Sequence, residues 1–232
     1  MLADQRQFES AHTAVYVARE LASEIGHSEV LGWTWETQAW MAATDGRQCD
    51  ARDLAGLGVG VAPAGSHARV AATVQRARIS GALGDEGATV RDLLAGEAAL
   101  AGVTEPGSPD DHYTIDPGKA AFFASGALAA LHRPAETTEH AAEVVRQSED
   151  PRTRNYWPMR VANARLGWAM ALVDRGEEDE AFAMALPALD REWFRPDTER
   201  RARSLLRRMR DAQLQAQLRA ELDQRLREPA RG

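Results

Sequence analysis

The stretch Asp110-Asp111-His112-Tyr113 places carboxylates beside an imidazole and a phenol, the side chains of general acid–base chemistry. Adjacent residues on a chain seldom point at one another, so a base and its orienting carboxylate are not expected at neighbouring positions. His112 and Tyr113 read instead as a lid over a neighbouring groove. Gly56-Leu57-Gly58 contains a G-x-G, yet it follows a predicted helix with no βαβ unit around it, which excludes a dinucleotide site. Gly118-Lys119-Ala120 resembles the end of a phosphate loop, but Tyr113 stands where the leading glycine belongs and Ala120 replaces the Ser/Thr. The histidines at 12, 27, 67, 112, 132 and 140 include no pair three or four apart, so no helix carries a two-histidine zinc motif. Cys49, the one cysteine, excludes an internal disulfide and a cysteine-based zinc site and reads as a small packing residue. No serine lies in a G-x-S-x-G setting. The sequence therefore assigns no catalytic residue, no metal and no cofactor.

Composition narrows the class. The 232 residues are 44% hydrophobic and 27% charged, enough for a packed core and against global disorder. A net charge of −7 argues against a phosphate-neutralising surface, so no direct nucleic-acid contact is expected. No apolar run approaches the roughly 20 residues of a membrane span, and Met1 is not followed by a signal-peptide pattern; with one cysteine, the expectation is a cytoplasmic protein with no membrane partner. Of the 28 basic residues only Lys119 is a lysine, which together with the alanine content points to a high-GC bacterial genome.

Strand patterns are scarce, and apolar residues recur at helical spacing between Gly and Pro breaks. The spacing predicts helices at 7–25, 28–45, 48–60, 67–83, 86–101, 117–131, 134–148, 158–175, 178–189 and 197–227. The helices come in similar pairs. Ala39, Gly46, Ala51, Ala55 and Gly58, ahead of Pro63, recur in kind as Ala169, Gly176, Ala181, Ala185 and Ala188, with weaker copies at Ala77/Gly84 and at Ser125/His132, where Thr137 replaces the alanine. Small residues let antiparallel helices cross closely, and glycine lets the chain turn between them. The turn markers at 46, 84, 132 and 176 are spaced by 38, 48 and 44, so insertions separate the repeats.

This register resembles the tetratricopeptide repeat over about residues 10–195. Three sets of strings resemble one family more narrowly. They are Gly32-Trp33-Thr34-Trp35-Glu36 with Ala39-Trp40, Asp45-Gly46-Arg47 and Ala62-Pro63; Asp111-His112-Tyr113 with Asp116-Pro117; and Trp157-Pro158-Met159-Arg160 with Ala164-Arg165. The family is the C-terminal tetratricopeptide-like domain of Xre-type helix-turn-helix transcriptional regulators of high-GC bacteria. The first 25 residues already read as a helix of the array, leaving no room for the helix-turn-helix itself. The expectation is either a stand-alone relative or a DNA-binding part on another segment.

The resemblance implies an all-α right-handed superhelix of four to five helix pairs over 1–196, closed by a capping helix and tail at 197–232. Its first helices would line a concave groove with Trp33, Glu36 and Trp40, then Arg78, then Lys119 and Phe122, then Asn163 and Met170. Trp35 points away from that groove in this register. The family likeness of the 111–117 loop implies a structural hinge. An aromatic wall with isolated charges suits a peptide, a small-molecule effector or a protein partner. A ligand preferring one curvature would bias a dimer interface or an associated DNA-binding unit. The alternative is a biosynthetic enzyme reusing the groove, with Glu36, Arg78, His112, Tyr113 or Arg160 acting there.

The C-terminal segment carries Arg200, Arg201, Arg203, Arg207, Arg208 and Arg210, then Leu214, Leu218, Leu222 and Leu226 at intervals of four. Acidic residues intersperse the arginines, so a solvated face is the plainer reading. The leucine stripe is expected to cap the last repeat; pairing with a second copy as a homodimer ranks next.

Overall fold

A computed structural model describes residues 8–103, 111–152, 156–190, 192 and 194–227. Every regular element among them is helical and no strand occurs. The helices are α1 (Phe8–Glu24), α2 (Ser28–Thr44), α3 (Gln48–Val61), α4 (His67–Ala82), α5 (Glu86–Ala101), α6 (Pro117–Ala130), α7 (Pro134–Ser148), α8 (Pro158–Asp174), α9 (Glu178–Ala185), α10 (Pro196–Arg208) and α11 (Ala212–Arg227). No described helix is long and apolar enough to cross a membrane. The chain divides into two compact units, Met1–Leu131 and His132–Gly232.

Local chemistry sets the helix ends. Ser66 Oγ accepts from the Arg69 N–H at 3.2 Å, Asp85 Oδ1 from Ala88 at 2.9 Å and Asp116 Oδ1 from Lys119 at 2.7 Å, each side chain satisfying an orphan donor of the first turn. At the other end, Gly46, Gly84 and Gly176 take φ of 82°, 76° and 83°. The next residue then bonds back across the turn: Arg47 N to Ala42 O at 2.9 Å, Asp85 N to Ser80 O at 3.0 Å and Glu177 N to Leu172 O at 2.9 Å. His132, at the third turn marker, adopts φ 55° and is the one non-glycine residue with positive φ among those described.

In the first unit α4 is the hub, packing against α2, α3, α5 and α6, while α1 lies on α2. Its core gathers Trp33, Ala62, Ala68, Val70, Ala71, Val74, Ile115 and Phe123. A second cluster of Ala39, Ala42, Ala43, Ala51, Ala55 and Ile79 joins α2, α3 and α4. Alanine buries little apolar area per residue, so these helices gain by approaching closely enough for backbone dispersion contacts. At the α4–α6 crossing the backbones nearly touch: a Cβ on Gly81 would stand 2.6 Å from the Ala127 carbonyl oxygen. Asp92 of α5 takes a two-point ion pair from Arg76 of α4, at 2.7 and 2.8 Å.

In the second unit α8 is the hub, against α7, α9 and α10, and α11 packs on α9 and α10. The expected helix over 197–227 is two helices, separated where Met209 turns extended (φ −62°, ψ 138°). The break has a tertiary cause. The Glu178 carboxylate accepts the Arg210 N–H at 2.9 Å and the Asp211 N–H at 2.9 Å, holding the entry to α11, while Asp211 Oδ1 accepts from Leu214 N at 2.9 Å. Leu218 and Leu222 are buried; Leu226 is exposed. The arginine run is largely matched within its own unit: Arg200 and Arg201 pair with Asp197, Arg203 with Glu199 and Arg208 with Asp174.

Candidate functional site

The first unit brings together four of the expected groove residues from three helices. Trp33 and Glu36 lie one turn apart on α2, Arg78 comes from α4 and Lys119 from the first turn of α6. Burial pushes the Glu36 carboxyl above its ordinary range, and the positive charges of Lys119 and Arg78 pull it partly back. Arg78 is itself buried, its guanidinium carbon 5.8 Å from the Phe123 ring centroid. The Lys119 ammonium stands 5.6 Å from the Trp33 centroid and donates to the carbonyls of His112 at 2.8 Å and Thr114 at 3.0 Å. Lys119 thus fastens the 111–116 segment to α6 and Trp33 at once.

Beside this cluster lies a cavity of about 800 Å³, with Trp33 in its wall. Helix α1 contributes Ala14, Val15 and Ala18, and α2 presents Val30, Trp33, Thr34 and Thr37, one face at helical spacing. His67 from the start of α4 and Asp111, Tyr113 and Thr114 complete the wall, with His27 and Glu29 at the start of α2. Tyr113 meets Trp33 edge to face, ring centroids 5.4 Å apart. The segment behind Tyr113 is pinned: the Ile115 N–H donates to His67 Nδ1 at 3.1 Å, across 48 residues of sequence. That nitrogen must be unprotonated to accept, so the His67 proton sits on Nε2.

Other expected residues fall elsewhere. Trp40 packs with Val15 against the buried Ala11 and Met41, on the α1 side. Phe122 is half-buried against the core and meets Phe123 edge to face at 5.7 Å. His112 is exposed, and it is its carbonyl, through Lys119, that joins the site. Asn163 and Met170 belong to the second unit, both buried in α8, where Asn163 Nδ2 donates to Asp197 Oδ2 at 3.3 Å. Trp35 lies under the guanidinium of Arg19 from α1, 4.7 Å from its ring. Asp110 lies outside the described residues. Arg160 in the second unit stands 5.1 Å over Trp157.

Reading the repeat register alone passed over His67, Glu29 and the α1 wall. A signal for that wall was present: Ala11, Ala14, Ala18 and Ala22 run along α1 at spacings of three and four, a small-residue stripe that leaves room against α2. Among the described residues no group of three or more His, Cys, Asp or Glu side chains is placed to hold a metal. No protein family matches the chain, and neither curated proteins nor solved structures yield a match.

Proposed function

We propose that this chain is a non-enzymatic regulatory or interaction protein of the tetratricopeptide type, related to the effector domains of Xre-type regulators. Its helix pairs curl into a right-handed superhelix, and its groove binds a peptide, small effector or partner protein in the service of transcriptional regulation. The observation that carries this reading is the convergence of Trp33, Glu36, Arg78 and Lys119 from α2, α4 and α6 beside an aromatic-walled cavity of about 800 Å³. Helix α4 packs against both α2 and α6, so first helices of successive pairs stand side by side, as a groove requires. A half-buried carboxylate whose desolvation disfavours its charged form is the kind of group retained for recognition rather than for stability. Binding would couple to function by favouring one disposition of the 111–116 segment, which Lys119 and His67 hold from two sides.

A thermal-shift screen of small metabolites and short peptides tests the reading, run in parallel on the wild type and on Ala14→Trp. Ala14 is exposed on α1 and lines the cavity, so the larger side chain obstructs the space without entering the core. Compounds that stabilise the wild type and not the variant support the reading. A screen with no hits, or with hits indifferent to Ala14→Trp, contradicts it.

A further inference from the structure

Among the described residues the charges lining the cavity are one-sided: two carboxylates, Glu29 and Asp111, and neither Lys nor Arg. Two imidazoles also line the wall, with His67 Nδ1 accepting the Ile115 N–H at 3.1 Å and His27 Nδ1 accepting the Val30 N–H at 3.4 Å. Two cations lie nearby, Arg78 and Lys119, but neither is among the described lining residues and both act on the half-buried Glu36. The remaining wall is apolar or aromatic at Ala14, Val15, Ala18, Val30 and the Trp33–Tyr113 pair, and uncharged at Thr34, Thr37 and Thr114.

We infer that the cavity takes a cationic amphipathic small molecule, an ammonium carried on an aromatic or aliphatic body. The body fills the wall of Trp33, Tyr113, Val15 and Val30, where apolar burial supplies affinity. The cationic end lies toward Glu29 and Asp111, whose field repels an anion of the same shape. The Tyr113 ring adds to the preference, because ring quadrupoles attract cations, whereas the Trp33 ring already engages Lys119. This inference rests on reading the cavity as a ligand site and adds the charge class.

The test uses three probes sharing one ring system and differing in the charge of the arm: tryptamine, tryptophol and indole-propionate. Each is titrated into the full chain at low ionic strength, following the indole N–H resonances by NMR. Tryptamine is expected to bind about tenfold more tightly than indole-propionate, with tryptophol between them. In the Glu29→Gln/Asp111→Asn variant the spread should shrink to about twofold or less. Glu29 also sits in the first turn of α2, so the variant's melting is measured alongside. A fall in wild-type tryptamine affinity with added salt serves as an independent readout. Equal affinity for tryptamine and tryptophol, a tightest complex with indole-propionate, or salt-independent tryptamine binding each overturns the charge class while leaving the cavity a ligand site. No binding of any probe overturns both.

Discussion

Lys119 and Trp33 form the joint between the loop and the helical scaffold: the ammonium stands 5.6 Å from the indole centroid while donating to the Thr114 carbonyl at 3.0 Å. The amides that follow are held in turn, Tyr113 by Asp111 Oδ1, Thr114 by the Asp111 carbonyl and Ile115 by His67. Lys119→Met keeps the apolar stem and removes the donors. Hydrogen exchange at the 113–115 amides should accelerate by roughly tenfold, the equivalent of about 1 kcal/mol, while α4 amides keep their rates. Unchanged exchange in the loop would show that Lys119 does not hold it.

Glu36 makes stability depend on pH in a defined direction. Its folded carboxyl titrates above the ordinary value near 4.5, so the folded state binds the proton more tightly than the unfolded chain. Stability from this group is therefore fully present below the ordinary value and lost as pH rises through the raised one. Glu36→Gln removes that loss. The variant should melt higher than wild type at pH 7, and the gap should close as pH falls toward 4. A variant less stable at pH 7 would mean that attraction to Arg78 and Lys119 outweighs burial.

Two helical glycines should respond in opposite directions to the same methyl group. At Gly81 a Cβ meets the Ala127 carbonyl oxygen at 2.6 Å, a backbone atom that cannot swing aside, so Gly81→Ala should cost about 1–3 kcal/mol. At Gly167 in α8 nothing lies within 4 Å of the added atom, and Gly167→Ala should gain about 0.5–1 kcal/mol from helix propensity. Chemical denaturation of both variants checks the pair.

His132 holds a left-handed backbone where its three counterparts are glycine. His132→Gly should stabilise the protein by about 1 kcal/mol through relief of that conformation. The lost contact to Asp174, 3.0 Å from an imidazole that is 62% exposed, offsets little of this, because Asp174 keeps Arg208 at 2.9 Å. A melting temperature below wild type would show that the His132–Asp174 contact dominates instead.

What was legible in the sequence follows from where each signal resides. Helix ends at Asp116-Pro117, Asp85 and Gly46 could be placed to within a residue or two because their caps are local hydrogen bonds. The small-residue register marked positions that are buried: Ala39, Ala77, Ser125 and Ala169 at its start, and Ala51, Thr137 and Ala181 twelve residues on. The break at Met209 is not legible in the sequence because Glu178, more than 30 residues upstream, holds the turn, and no Gly or Pro marks it. Trp33, Glu36, Arg78 and Lys119 lie near one another across α2, α4 and α6, on helices whose existence the sequence spacing marked. The cavity behind Trp33 was not legible, since it needs α1 packed on α2 and the His67–Ile115 hydrogen bond, neither of which repeats.

The most direct test of the binding reading is calorimetric titration of the most stabilising screen compound into wild type and Ala14→Trp. Obstruction of the cavity is predicted to weaken binding by at least about tenfold, or 1.4 kcal/mol, with the fold intact by circular dichroism. Equal affinity for the two proteins would contradict it, placing the ligand away from Trp33 and Tyr113.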